Sequence, residues 1–491
     1  MVLLVLIVLS TAYVIFVYRR QLVQLWKLNR HCRAALVNVP GPPCLPIIGA
    51  AHQFKWNNVE FAHQLEQFAR QYIINNNSYY GLAKIWIGPV PIVFCGTQES
   101  IRPILESTTN ISKPSQYDII SEWIGIGLLT STNEKWLRRR KMLTSAFHFT
   151  ILQEFHDIFV QQGEIFVDLI AKEEGFFDLF PYIKRCSLDI ICETAMGTAI
   201  NCQIDGSSEY VQAVQRLTSI LWKHQRFPWL WLKPVWYLSG FGFEFDRLIK
   251  LTNDFTREVI AKRKGIMEEG EMSEESAVSP NKKKLAFLDL LLHMQRSDEL
   301  TDEDIREEVD TFMFEGHDTT SSGIAFTVWW LGQMPECQEK VHEELDSVFG
   351  DSNRLPTPED LKKLVYLERC IKESLRLTPP VPLIARKLTK DVAIGDVVLP
   401  VGLTVVVWPM TTARDERYWE RPEEFYPEHF DTEKVAKRSA SKFALIEEKA
   451  VLSWIFRRYH VETEEPFPGN TPIPQLVLKP MNGIRVRLTK R

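Results

Sequence analysis

The chain has 491 residues, 45% hydrophobic and 25% charged, which is an ordinary globular composition with ample material for a large core. Its formal net charge of -5 argues against nucleic-acid binding as the main business. Eight cysteines (Cys32, Cys44, Cys95, Cys186, Cys192, Cys202, Cys337 and Cys370) form no Cys-x-x-Cys pair and no zinc spacing, so they read as buried thiols in a reducing compartment.

Val2 to Val17 is almost wholly apolar, and Tyr18, Arg19 and Arg20 end the run. At ~1.5 Å per residue it covers roughly 25 Å, a little short of the ~30 Å hydrocarbon core. No basic region precedes it and no small-x-small cleavage site follows, which disfavours a cleaved signal. Lys27, Arg30 and Arg33 extend a positive flank, and no acidic residue occurs before Glu60. Residues 1–20 therefore read as a single-span signal anchor, with the body of the chain facing the cytosol. A basic and then Pro-rich linker fills residues 21–50, its Pro40-Gly41-Pro42-Pro43 barred from helix and central strand.

Residues 51–491 read as one helix-rich domain with a minor sheet. Leu82 to Cys95, broken by Gly88-Pro89, predicts a twisted hairpin. Helical patterns dominate from Glu99 to Leu377. Within them, Phe227 to Phe245 gathers Trp229, Trp231, Trp236, Tyr237, Phe241 and Phe243 around two prolines, which suits a second membrane contact and core filling equally. Met267 to Lys284 turns acidic, then Ser-rich, then Lys-rich, and reads as a mobile surface loop. Asp391 to Val407 returns to short strands about a Gly395-Asp396 turn.

One predicted helix carries the chemistry. It begins at Thr301, an N-cap with acidic residues in the first turn, and Pro335 stops it. In its middle, Glu315, Gly316, His317, Asp318, Thr319 and Thr320 interrupt an apolar stretch. Glycine costs up to ~1 kcal/mol inside a helix, and buried polar groups cost more unless paired. A helix that accepts both penalties usually lines a site. Gly316 would let a flat group approach the backbone, and Thr319 can bond back to a carbonyl one turn earlier. The competing reading starts a new helix at Asp318. Elsewhere, Glu373 and Arg376 share a helical face. Trp136 and Arg140, also one turn apart, present an indole N–H and a guanidinium together, both suited to a carboxylate. The run Arg138 to Lys141 is equally readable as a solvated basic face, or as a dock for an acidic electron donor.

Glu308-Val309-Asp310-Thr311-Phe312-Met313-Phe314-Glu315-Gly316-His317-Asp318-Thr319-Thr320, followed by Glu373-x-x-Arg376, resembles cytochrome P450 family 4, the haem-thiolate monooxygenases. The resemblance runs from about Val39 to Arg491. It implies the cytochrome P450 fold behind a transmembrane anchor, with haem b as cofactor. Asp318 and Thr319 would relay protons to bound oxygen; Trp136, Arg140 and Arg386 would hold haem propionates. Gly316 would lie by the porphyrin, and Glu315 marks the position that in some members is esterified to a haem methyl. His429, in Pro427-Glu428-His429-Phe430, takes the place of the family arginine that completes the Glu373–Arg376 pair. The resemblance further implies hydroxylation of fatty acids or related lipophiles, O2, an NADPH-dependent flavoprotein reductase, and residence in the endoplasmic reticulum membrane.

One part of the pattern is missing. The family continues with a Phe-x-x-Gly-x-Arg-x-Cys-x-Gly loop that supplies the iron's cysteine ligand. Here Lys437-Arg438-Ser439-Ala440 runs straight into Ser441-Lys442-Phe443-Ala444, which resembles the helix after that loop, and Cys370 is the last cysteine. The expected site therefore has no metal ligand, and the chain is expected to be inactive as written. The alternative reading is a haem-less, membrane-anchored binding protein. A hydrolase is set aside because no Gly-x-Ser-x-Gly occurs.

Overall fold

The computed structural model describes residues 16, 19–20, 23–75, 79–144, 155–274, 286–297, 299–431 and 442–491. In chain order, the elements used below begin with strands β1 (Leu82–Ile87) and β2 (Val90–Cys95). Helices α1 (Asn133–Thr144), α2 (His156–Ile170), α3 (Phe180–Thr194), α4 (Glu209–Arg226) and α5 (Phe241–Glu274) follow. Next come α6 (Asp302–Gly332), α7 (Pro335–Phe349) and α8 (Val365–Leu377). Strands β3 (Ile384–Lys387), β4 (Val392–Ile394), β5 (Val397–Leu399) and β6 (Thr404–Val407) precede α9 (Lys442–Arg458), and β7 (Tyr459–Thr463) and β8 (Arg485–Lys490) close the list.

The chain divides into two compact units. The first comprises Met1–Pro114, Lys223–Trp236 and Leu383–Thr412. Its sheet has the order β1-β2-β6-β3, with β2 and β6 parallel and the other pairs antiparallel. All four residues of β6 are buried, as a central strand covered on both faces demands, and Thr-Val-Val-Val supplies β-branched side chains for it. The turns take glycine at positive φ: Gly88 (57°) between β1 and β2, and Gly395 (58°) between β4 and β5. The proline-rich segment lies against this sheet. Lys84 N–H donates to the Pro40 carbonyl at 2.8 Å, and a Cβ on Gly41 would stand 1.9 Å from the Lys84 oxygen.

The second unit comprises Ser115–Trp222, Tyr237–Pro382 and Ala413–Arg491. Its axis is α6, 31 residues and therefore about 46 Å long. A capping box starts it: Thr301 Oγ1 accepts from Asp304 N–H at 3.1 Å, and Asp304 accepts from Thr301 N–H at 3.0 Å. The helix runs through Asp318 without a break, so no new helix begins there. Pro335 then takes the first position of α7. Because α6 is apolar all round from Ile324 to Leu331, it must be covered on every side. The core that covers it includes Phe159, Phe166, Ile371, Trp454 and Phe456. Strands β7 and β8 pair antiparallel beside Phe177–Asp178.

Two expectations change. Met267 onward is not loop at first: α5 continues to Glu274, because the acidic stretch that follows Met267 is helix-compatible, and residues 275–285 lie outside the described ones. The aromatic segment divides its side chains, burying Phe227, Leu230, Trp236 and Phe245 while exposing Trp229, Leu232, Leu238 and Phe243. The apolar run read as an anchor lies, except for Phe16, outside the described residues up to Val17. Among the described residues no helix is long and apolar enough to cross a membrane.

Helices α2 and α9 touch through Gly163, where a Cβ would fall 2.7 Å from Trp454 Cδ1. Trp454 is fixed there by donating its indole N–H to the Val160 carbonyl at 3.0 Å. Gly163→Ala raises helix propensity by about 1 kcal/mol but pushes a methyl into a ring that cannot swing away. We expect a net loss of about 1–3 kcal/mol in a urea melt; a neutral or stabilised variant would contradict this packing.

Candidate functional site

Through its central turns α6 is buried apart from one stripe. Phe312, Glu315, Gly316 and Thr319 keep partial exposure, and their i, i+3, i+4, i+7 spacing places them on one face. Thr319 Oγ1 donates to the Glu315 carbonyl at 2.6 Å, the back-bond that frees that carbonyl from a purely helical role. At Gly316 another helix comes close. A Cβ there would stand 2.7 Å from Ile191 Cγ1 and Cδ1, so the missing side chain lets α3 approach.

Asp318 points the other way, into the core, where Lys184 of α3 pairs with its Oδ1. Burial alone would raise its pKa, but Lys184, Lys479 and His317 together hold the carboxyl below the usual carboxylate range. Lys479 is itself buried and donates to Thr218 Oγ1 at 2.7 Å; burial lowers its pKa to about 8. His317 Nδ1 lies 2.7 Å from the Met313 carbonyl, so Nδ1 is the donor. Burial lowers that imidazole to about 4 and keeps it neutral. Lys184 and Lys479 also line a cavity of about 680 Å³ with Arg185, Arg216, Gln212 and Gln475. Neither lysine stood out in the sequence: a single Lys on a mostly apolar helix face gives no sign of an aspartate 134 residues away.

The N-terminal half of α6 holds α1. Arg139 is fully buried and pairs with Asp304, while Lys135 Nζ lies 2.8 Å from Glu307 Oε2. Glu308 accepts from Leu128 N–H at 3.1 Å, and burial lifts its pKa to about 7. The basic run is thus divided, with Arg139 turned inward as a structural cation that the pattern of charges did not single out. Trp136 is half-buried and Arg140 exposed, and among the described residues Arg140 has no acidic partner. In the first unit, Arg386 on β3 is half-buried, and its guanidinium donates to the adjacent Ala385 carbonyl at 2.9 Å.

Glu373, Arg376 and His429 form one buried network. Arg376 meets Glu373 with two parallel bonds, Nη2 to Oε1 at 2.7 Å and Nε to Oε2 at 2.9 Å. Its remaining donors reach the carbonyls of Ala413, Pro422 and Glu424, and its plane lies 4.9 Å from the Trp419 ring. Glu373 Oε1 also accepts from Tyr426 N–H at 2.8 Å and faces His429 Nδ1 at 3.1 Å. His429 Nε2 contacts the Glu420 carbonyl. Every polar atom of the Arg376 fork is used, which is what makes a buried pair tolerable.

The cytochrome P450 family model matches residues 39–486. Cytochrome P450 4V2 of Homo sapiens is 43% identical over 470 residues, covering 91% of this chain and 88% of that protein. Cytochrome P450 4c3 of Drosophila melanogaster is 39% identical over 481 residues, covering 92% and 89%. The chain is a family 4 cytochrome P450. The family is one of haem-dependent monooxygenases, and haem is its cofactor.

The residues of this cytochrome P450 fit that cofactor in part. Arg140, with no acidic partner among the described residues, lies one turn from Trp136 and suits an acidic substituent, and Thr319 faces the open stripe of α6. The axial position does not fit. Cys32 and Cys95 are pushed up to about 12 by burial; Cys186, Cys192, Cys202, Cys337 and Cys370 are raised by the same cause. None of these is poised as a thiolate. The junction of Ala440 and Ser441 lies outside the described residues.

Helix α9, just after that junction, buries both Glu447 and Glu448. Glu448 presses on Gly323 of α6, where a Cβ would stand 2.3 Å from its Oε1. Burial raises Glu448 to about 8, and burial with its neighbour Glu448 raises Glu447 well above the ordinary range. An acid raised from 4.5 to about 8 in the folded chain keeps a proton that the unfolded chain has lost. Its stabilising contribution is full below pH 4.5 and falls as the pH climbs through about 8. Glu448→Gln should therefore leave stability unchanged at pH 4.5 or below and raise it by about 1–3 kcal/mol above pH 8. Thermal melts across that range check this; a pH-independent effect would contradict it.

Proposed function

We propose that this sequence carries the scaffold of a microsomal family 4 monooxygenase and that the chain as written is catalytically silent. The observation behind the second half is the absence of any cysteine after Cys370, in a chain whose family match continues to residue 486. Thiolate ligation pushes electron density onto iron and favours O–O cleavage, so no neighbouring hydroxyl replaces it. With the loop present, the substrates would be fatty acids or related lipophiles, the electrons would come from NADPH through a flavoprotein reductase, and the enzyme would sit on the endoplasmic reticulum membrane.

The chain's own residues then take these parts. Trp136, Arg140 and Arg386 would hold the propionates of haem, and Glu315 and Thr319 would border it on the stripe of α6 that stays open. Gly316 would act through packing, by letting α3 approach. Asp318 would keep a fixed negative charge one residue from the Thr319 hydroxyl, its proton affinity set by Lys184 and Lys479. Glu373, Arg376 and His429 would brace the segment between α8 and α9. The buried acids of α9 support the reading that a loop is missing before it, because burial raises both Glu447 and Glu448 and, among the described residues, neither has an ion-pair partner.

The chain as written should give no haem-thiolate carbon monoxide band when reduced. Inserting a family cysteine loop between Ala440 and Ser441 should produce that band. If the unmodified chain shows it, the missing-ligand reading fails. If the repaired chain takes up no haem while Trp136, Arg140 and Arg386 are intact, their assignment fails.

A further inference from the structure

His342 on α7 is buried, 1% exposed, yet among the described residues neither of its ring nitrogens makes a hydrogen bond of good geometry, the Tyr459 carbonyl being its neighbour. Buried polar groups are paired in all but a few cases, and an exception asks for an ion or water that satisfies it. The surroundings supply the rest of a site. Glu339, one turn earlier on the same helix face, brings Oε2 to 3.8 Å from His342 Nδ1. His460 sits on β7, whose burial alternates so that its side chain faces outward. Its ring stands edge-on to His342, with centroids 4.5 Å apart and planes at 85°. One ligand atom from each of the three residues falls within 4.8 Å of the other two.

We propose that Glu339, His342 and His460 bind a divalent transition-metal ion, zinc being the best match to the donor set. Two imidazoles and a carboxylate suit zinc, whereas calcium and magnesium prefer all-oxygen shells. Arg491 is held by Asp346 at 2.7 Å and so has its own counter-charge. The Phe456 ring, 6.1 Å from His342, closes the inner side. Closing the small gaps asks movement only of Glu339 and His460, which are exposed. Three protein ligands leave a fourth position for water, and the ion would pin α7 to β7.

The test uses the full chain, stripped of metal and titrated with zinc chloride by calorimetry and thermal melting. We expect one zinc per chain at micromolar affinity or better and a rise in Tm, with no rise from calcium. Glu339→Gln and His460→Gln change exposed residues, so the fold survives, and each should weaken binding about tenfold or more. His293→Gln, at an exposed histidine elsewhere, should leave it unchanged. No zinc uptake, or wild-type affinity in both Glu339→Gln and His460→Gln, would overturn the proposal.

Discussion

An aspartate in the middle of a buried helix needs a counter-charge at bonding distance, and Lys184 gives Asp318 that partner. The rest of α6 repeats the solution at intervals. Asp304 takes Arg139, Glu307 takes Lys135, and Asp310 takes Arg306. Each pair also fastens a neighbouring element or an adjacent turn, so the polar groups that look like defects in the helix are what fix α1 and α3 against it. These pairings lie on other faces of α6 and leave half-open the stripe of Phe312, Glu315, Gly316 and Thr319.

Glu373 plays the same part at the C-terminal end of the fold. It gathers Arg376, the Tyr426 N–H and His429 around one carboxylate, and through Arg376 it holds the carbonyls of Ala413, Pro422 and Glu424. The segment from Ala413 to His429 is thereby tied to α8. Helix α9 docks with two acids buried side by side, and burial raises the pKa of both.

Much of this was legible before any coordinates. The Gly88-Pro89 hairpin, the Thr301 cap, the Pro335 stop and the shared face of Glu373 and Arg376 follow from local rules, and the structure has each of them. What stayed hidden depends on long-range pairing. Lys184, Lys479 and Arg139 look like ordinary surface cations until the chain brings distant acids to them. The neighbour of Gly316 stays hidden for a related reason, since Ile191 comes from a distant helix. A small residue in a helix signals a close approach, but the sequence does not say whether a ligand or another helix comes near. Met267 to Glu274 was misread because charge-rich helix and charge-rich loop share a composition.

The most direct measurement is X-ray absorption at the iron edge of the purified chain after loading with ferric haem. We expect only nitrogen or oxygen bound to iron, whether from porphyrin, water, His429 or His460, or no stable haem at all. A sulfur at bonding distance from iron, contributed by any of the eight cysteines, would contradict the reading of a family 4 scaffold without its thiolate.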